Sequence, residues 1–211
     1  MSAELKKQAC DVIDAMAGEL VEASHAIHAK PEVAFEEVFA HGLLSDKVEA
    51  AGLNVERHAC GLDTAFVSEF GAEETGAQET APLVGIISEY DALPGIGHAC
   101  GHNIIATTGL GASLALAKLG AKLPGRVRYL GTPAEESGNG KELMARQGAF
   151  EGLAAAMMVH PAGVNLITMP SLAVNEVRVT YTGKAAHASA MPFAGINALD
   201  EIGRASCRGR V

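Results

Sequence analysis

The sequence has no cluster of lysine and arginine. Its 16 basic residues are outnumbered by 25 acidic ones, for a formal net charge of −9. Phosphate binding needs a concentrated cationic patch, so a nucleic-acid partner is excluded and a small molecule is the expected one. Nor does any apolar run approach the roughly 20 residues of a membrane span, so no membrane partner is expected. Met1 to Asp14 carries Glu4, Lys6, Lys7 and Asp11 among scattered apolar residues. It lacks both the apolar core and the small-residue cleavage site of a secretory leader, which makes the cytoplasm the expected location. CxxC pairs are missing too: Cys10, Cys60, Cys100 and Cys207 stand apart, a poor basis for a disulfide framework in a chain this long. Cys10, Cys60 and Cys207 read as small buried apolar residues. There are no internal repeats and no low-complexity tracts.

What is present is apolar: 48% of the 211 residues are hydrophobic, enough for one full domain and part of a second. From Glu4 to Ala29 apolar residues recur at helical spacing, and Pro31 ends the pattern. A second helix is predicted from about Glu36 to Ala51. Strands follow at Asn54 to Arg57, Thr64 to Phe70 and the apolar Leu83 to Ser88, with an acidic, turn-rich hairpin loop over Gly71 to Thr80. A nearly all-apolar helix from about Asn103 to Leu119 should be buried against a sheet. Strand Val127 to Gly131, a helix near Lys141 to Gln147 and strand Ala154 to Val159 complete the series. Buried strands alternating with helices predict an α/β domain with a largely parallel sheet over residues 1–170.

After Pro170 the pattern changes. Ala173 to Thr182 alternates as a strand with one wet face, and Asn197 to Ile202 starts a helix, so 171–202 reads as the beginning of an α+β domain. The segment 203–211 (GRASCRGRV) has three arginines in nine residues and no periodicity. It resembles the translation of a sequencing adapter and is expected to be non-native.

In open α/β sheets ligands bind at the carboxyl ends of the strands. Here strand Leu83 to Ser88 leads into Glu89-Tyr90-Asp91 and then His98-Ala99-Cys100-Gly101-His102. Strand Val127 to Gly131 leads into Pro133-Ala134-Glu135-Glu136, and strand Ala154 to Val159 into His160. Thiolate, imidazole and carboxylate are ligands for zinc and neighbouring divalent metals. Gly101 lets the backbone turn tightly, so that Cys100 and His102 converge, and the start of a helix should favour the thiolate of Cys100. Of the adjacent pair Glu135-Glu136, one carboxylate can bind metal while the other takes a proton from activated water. Asp91 is placed to fix the tautomer of a ligand imidazole. His25, His28, His41 and His58 are read as ordinary helix or surface histidines.

HACGH at 98–102, PAEE at 133–136, HP at 160–161 and GKAAHAS at 183–189 together resemble the amidohydrolase branch of metallopeptidase family twenty, which includes aminoacylases. The longer EYDALPGIGHACGHN at 89–103 is similar to the subgroup of p-aminobenzoyl-glutamate hydrolase and the dipeptidases of β-alanyl-lysine and Xaa-Arg peptides. Asn103 follows the histidine where Asp is common in the wider branch; that subgroup shares the Asn.

The resemblance implies a zinc-peptidase-like three-layer domain followed by the start of a lid or dimerisation domain. It implies two divalent metal ions, zinc or else manganese or cobalt, with Cys100 shared between them. His102 and His160 would bind one, Glu136 the other, and Glu135 would be the general base. His187 would reach the substrate's carbonyl or carboxylate, and the parent enzyme would be a homodimer acting on N-acyl-amino acids or dipeptides. The family's last metal ligand is a histidine near the end of a chain about twice as long, so this chain is expected to be an incomplete and inactive part. Two alternatives are a binding protein for a metal or amino-acid derivative, and a hydrolase using Cys100 as nucleophile.

Overall fold

The computed structural model describes residues 2–71, 81–167, 177–200 and 202. They fall into two compact units, Met1–Val164 and Asn165–Val211.

The first unit is built on a five-stranded sheet: β1 (Glu56–Arg57), β2 (Phe66–Gly71), β3 (Leu83–Glu89), β4 (Arg126–Thr132) and β5 (Leu153–Met157), in spatial order β1-β2-β4-β3-β5. Its centre is parallel, β4 and β5 flanking β3, while β2 joins β4 and β1 joins β2 antiparallel. Four helices accompany it: α1 (Ala3–Ala29), α2 (Val38–Ala50), α3 (His102–Leu119) and α4 (Gly140–Arg146). Side chains alternate across a strand. Val127 and Tyr129 of β4 therefore join Ile27, Leu44 and Leu110 from the first three helices on one face, while Leu130 meets Met144 of α4 on the other. Helix, sheet and helix thus form three layers.

The helix ends follow from local chemistry. The Ser2 hydroxyl accepts the Leu5 N–H at the start of α1, and Pro31 bars the helical conformation at Lys30. The Glu32 carboxylate accepts from Phe39 N (2.9 Å) and Ala40 N (3.1 Å), an anion against the electropositive first turn of α2. The Glu32 carbonyl in turn accepts from Ala92 N (2.7 Å), tying this loop to the end of β3.

Some expectations need correction. The apolar run ending at Val159 is a sheet-edge strand, paired only with β3 among the described residues, and Met157 and Val159 are 61% and 67% exposed. Hydrophobicity shows that a strand favours burial, not which neighbour covers it. Cys10 is exposed and Cys60 only half-buried, because Cys10 lies on the outward side of α1, where helical periodicity alone does not place it in the core.

In the second unit Lys184 and Ile196 exchange two backbone hydrogen bonds, 3.0 and 2.9 Å. A 3-10 turn spans Pro192–Ala194. Residues 198–200 are helical, with the Asn197 side chain accepting from Leu199 N. Val177 to Thr182 carries no strand: its alternation suits a ladder, and a strand without a hydrogen-bonded neighbour does not hold. Residues 173–176, the loop from 72 to 80 and the tail 203–211 lie outside the described residues.

Candidate metal centre

Strand register brings the three loops to one level. Glu89 pairs with Thr132 across β3 and β4, and Ile86 pairs with Met157 across β3 and β5. His160 comes three residues beyond Met157, where β5 ends, at the same end of the sheet as Glu89.

His102, the first residue of α3, is fully buried. Its Nδ1 lies 3.0 Å from Asp91 Oδ1, and the other Asp91 oxygen accepts the Glu136 N–H at 2.9 Å. Asp91 therefore fixes the imidazole and the backbone of the Glu135-Glu136 turn together. With Nδ1–H committed to Asp91, Nε2 faces Glu89 Oε2 (3.5 Å), Glu136 Oε1 (3.6 Å) and Glu135 Oε2 (3.8 Å). Gly101, at φ +84°, makes the turn that sends Cys100 toward His160, whose Nε2 is 3.6 Å from the sulfur. The His160 Nδ1–H donates to the Pro161 carbonyl (2.8 Å). Ligand-type atoms of Cys100, His102 and His160, and again of Glu89, His102 and Glu135, lie within 4.8 Å of one another.

The Glu135-Glu136 turn is braced from below. Ala134 has φ +56°, a conformation costly for a residue with a Cβ. Its N–H donates to Oε1 of the fully buried Glu37 (2.8 Å), whose Oε2 accepts the Thr64 hydroxyl (2.7 Å).

The electrostatics are those of crowded carboxylates. Burial raises the Glu135 pKa, and neighbouring Glu89 adds to it. Burial would raise Asp91 too, but hydrogen bonds from His102 and the Glu136 N–H hold it below the usual carboxylate range. Burial opposes charge on His102, yet Asp91, Glu89 and Glu136 raise its pKa, a measure of the negative potential that would also draw a divalent cation. The Cys100 thiol is pushed up to about 11 by burial and then by Glu136, Glu135 and Glu89. Without a metal ion, burial and then these carboxylates oppose the thiolate that the helix start favours. A thiol so disposed is a poor free nucleophile, which weighs against a hydrolase using Cys100 as nucleophile.

The donor set fits a cation. His102 Nε2, Glu89 Oε2 and Glu136 Oε1 are buried without a hydrogen-bond partner, and buried polar atoms are normally paired. All three are metal-ligand atoms, and both carboxylate oxygens lie within 3.6 Å of His102 Nε2. Sequence reasoning singled out Cys100, His102, Glu135, Glu136, His160 and Asp91, and the fold brings them together; it passed over Glu89, Lys141 and Glu37. His187 belongs to the second unit, where its Nδ1 accepts the Ala190 N–H (3.2 Å) and lies 3.1 Å from Ser189 Oγ.

A three-layer α/β fold with imidazole, thiol and carboxylate groups gathered at the carboxyl ends of parallel strands is that of a metallopeptidase. Residues 85–202 match the family described as Peptidase family M20/M25/M40, and the chain belongs to it. Among its relatives are the Xaa-Arg dipeptidase of Mus musculus, 46% identical over 93% of this chain and 47% of its own. One of the subunits of p-aminobenzoyl-glutamate hydrolase from Escherichia coli (strain K12) is 32% identical over 91% of this chain and 43% of its own. The chain thus spans about half the length of these relatives. A crystal structure of a Bacillus subtilis protein, described as a dinuclear metal-binding peptidase from the M20 family, shares the fold with TM-score 0.61. It is 25% identical and covers 68% of this chain and 42% of that one.

Proposed function

We propose that these residues form part of an amidohydrolase that cleaves the amide bond of a dipeptide or N-acyl-amino acid with two divalent metal ions. The observation that carries the reading is the convergence of Cys100, His102, Glu136 and His160 at one end of the sheet, with His102 Nε2 and Glu136 Oε1 buried and unpartnered. Cys100 would be shared between the ions, His102 and His160 would hold one, and Glu136 the other. Bound metals polarise the scissile carbonyl and lower the pKa of water from 15.7 to about 7. Zinc, manganese and cobalt all suit a Cys/His/Glu set.

Glu135 is the general base. Its raised pKa brings it nearer neutral pH, where a base both accepts a proton and hands it on to the leaving amine. Asp91 keeps the His102 lone pair on Nε2. His187 is assigned to the substrate's carbonyl oxygen, a contact of a kind typically worth about 3–4 kcal/mol. The names of the relatives point to an Xaa-Arg dipeptide or a p-aminobenzoyl-glutamate-like amide as substrate. A homodimer in a reducing compartment accords with that kinship and with the free thiols of Cys10, Cys60 and Cys100. No helix among the described residues is long and apolar enough to cross a membrane.

The test is Glu135→Gln in an enzyme of the relatives' full length, assayed on those two substrate types. Turnover should fall about 10²–10⁴-fold with two ions retained per chain by elemental analysis. Retained turnover removes Glu135 from the role; one ion or none in the wild type favours a binding protein.

A further inference from the structure

The strand-end carboxylate that the proposed mechanism leaves without a role is Glu89. It is the last residue of β3 and 2% exposed, and its two oxygens are in different situations. Oε1 is ion-paired with the Lys141 ammonium at the start of α4. Oε2 has no hydrogen-bond partner and stands 3.5 Å from His102 Nε2, itself buried and unpartnered. A structural carboxylate so deep would have both oxygens satisfied, as Glu37 does.

Ligand atoms about 2.0–2.2 Å from a shared ion in a tetrahedral array lie about 3.3–3.6 Å from one another. The separation from His102 Nε2 to Glu89 Oε2 (3.5 Å) falls in that range, and that to Glu135 (3.8 Å) falls outside it. Glu135 is also 42% exposed at its side chain, whereas that of Glu89 is 2%. The more buried carboxylate suits ligation and the more accessible one suits proton transfer.

We propose that Glu89 is a further ligand of the ion bound by His102, through Oε2, and that Lys141 is its positioning residue, holding Oε1 so that Oε2 points into the site. The proposal rests on the two-metal reading of the site. Lys141 also offsets one of the negative charges that surround His102, so that a third carboxylate is tolerated beside Glu135 and Glu136.

The experiment is Co²⁺ titration of the 211-residue chain and of Glu89→Gln and Lys141→Gln, followed by visible absorption, with folding checked by circular dichroism. The wild type should show a thiolate-to-cobalt band from Cys100 and a d–d envelope reporting the coordination geometry. In Glu89→Gln the thiolate band should persist while the d–d envelope changes. Affinity should fall about 10–100-fold for Lys141→Gln, the range for loss of a group that orients a ligand, and further for Glu89→Gln. An unchanged d–d envelope in Glu89→Gln, even with weaker binding, means that Glu89 acts by charge alone and overturns the ligation. Lys141 lies partly exposed on a short helix, so Lys141→Gln carries the test if Glu89→Gln does not fold; wild-type affinity there overturns the positioning role. A wild-type chain that takes up no Co²⁺ overturns ligation by Glu89 here, while two ions in an enzyme of the relatives' full length would leave the two-metal reading standing.

Discussion

The same substitution, glycine to alanine, should move stability in opposite directions at two positions. Gly18 lies inside α1 with nothing within 4 Å of an added Cβ. Alanine there removes chain freedom from the unfolded state and stabilises by about 0.5–1 kcal/mol. Gly101 sits at φ +84°, and an added Cβ would stand 3.0 Å from Pro161 Cγ. The left-handed conformation alone costs about 1–2 kcal/mol with a Cβ present, and the proline must also give way by a few tenths of an ångström. For a domain of this size about 2–4 °C of Tm corresponds to each kcal/mol. Gly18→Ala should therefore raise Tm by about 1–4 °C and Gly101→Ala lower it by about 2–8 °C, read by calorimetry in chelator. Pro161 follows His160, whose Nε2 faces the Cys100 sulfur at 3.6 Å. Ligand distances in metal sites hold within about 0.2 Å of their standard values, so Gly101→Ala should also weaken Co²⁺ binding while Gly18→Ala leaves it unchanged. Two shifts of the same sign would refute the conformational argument.

Stability should fall on acidification through His41. Burial, followed by the charges of His58 and Arg57, lowers its pKa from 6.5. The unfolded chain then takes the proton more readily, so stability present above pH 6.5 is lost as pH falls toward the depressed value. Denaturant midpoints for His41→Leu should depend less on pH over that interval than those of the wild type; equal slopes would refute the assignment. Zn²⁺ at about 100 times its dissociation constant should stabilise the chain by about 2.7 kcal/mol, and excess chelator should reverse the gain. A Tm indifferent to both would contradict a metal centre.

The motifs were legible in the sequence because short spacings at strand ends leave little freedom. Cys100-Gly101-His102 needs only one turn, and Glu135-Glu136 only one loop. Glu89 is named there in the segment after the apolar strand but is given no role. Side chains two apart on a strand share a face, so Glu89 and Asp91 arriving at one edge was the signal that could have found it. Lys141 enters only as the start of a predicted helix, since nothing in a periodic pattern says that α4 begins beside the end of β3. Glu37 is harder still: its partners Thr64 and Ala134 are 27 and 97 residues away, a relation that only the fold creates. The exposure of β5 was equally hidden, because edge position depends on topology and not on composition.

The crowding of charge at the centre has one further consequence. Glu89, Asp91, Glu135 and Glu136 gather around His102 with Lys141 as the ion-paired cation, and like charges brought together in a partly buried site oppose folding. The site keeps its shape because Asp91 holds the Glu136 N–H and Glu37 holds the Ala134 N–H, bonds that over-determine a turn which would otherwise relax. A residue kept there for binding should therefore be a burden to the metal-free chain. Glu136→Gln removes one of the converging charges, and Oε1, the atom it neutralises, has no hydrogen-bond partner to lose. In chelator its Tm should equal or exceed that of the wild type, while the rise on adding Zn²⁺ should shrink sharply. A structural role for Glu136 predicts the reverse: a lower Tm in chelator with the Zn²⁺ increment intact. Thermal scans of both chains with and without metal separate the two, and the second result would refute the placement of Glu136 among the ligands.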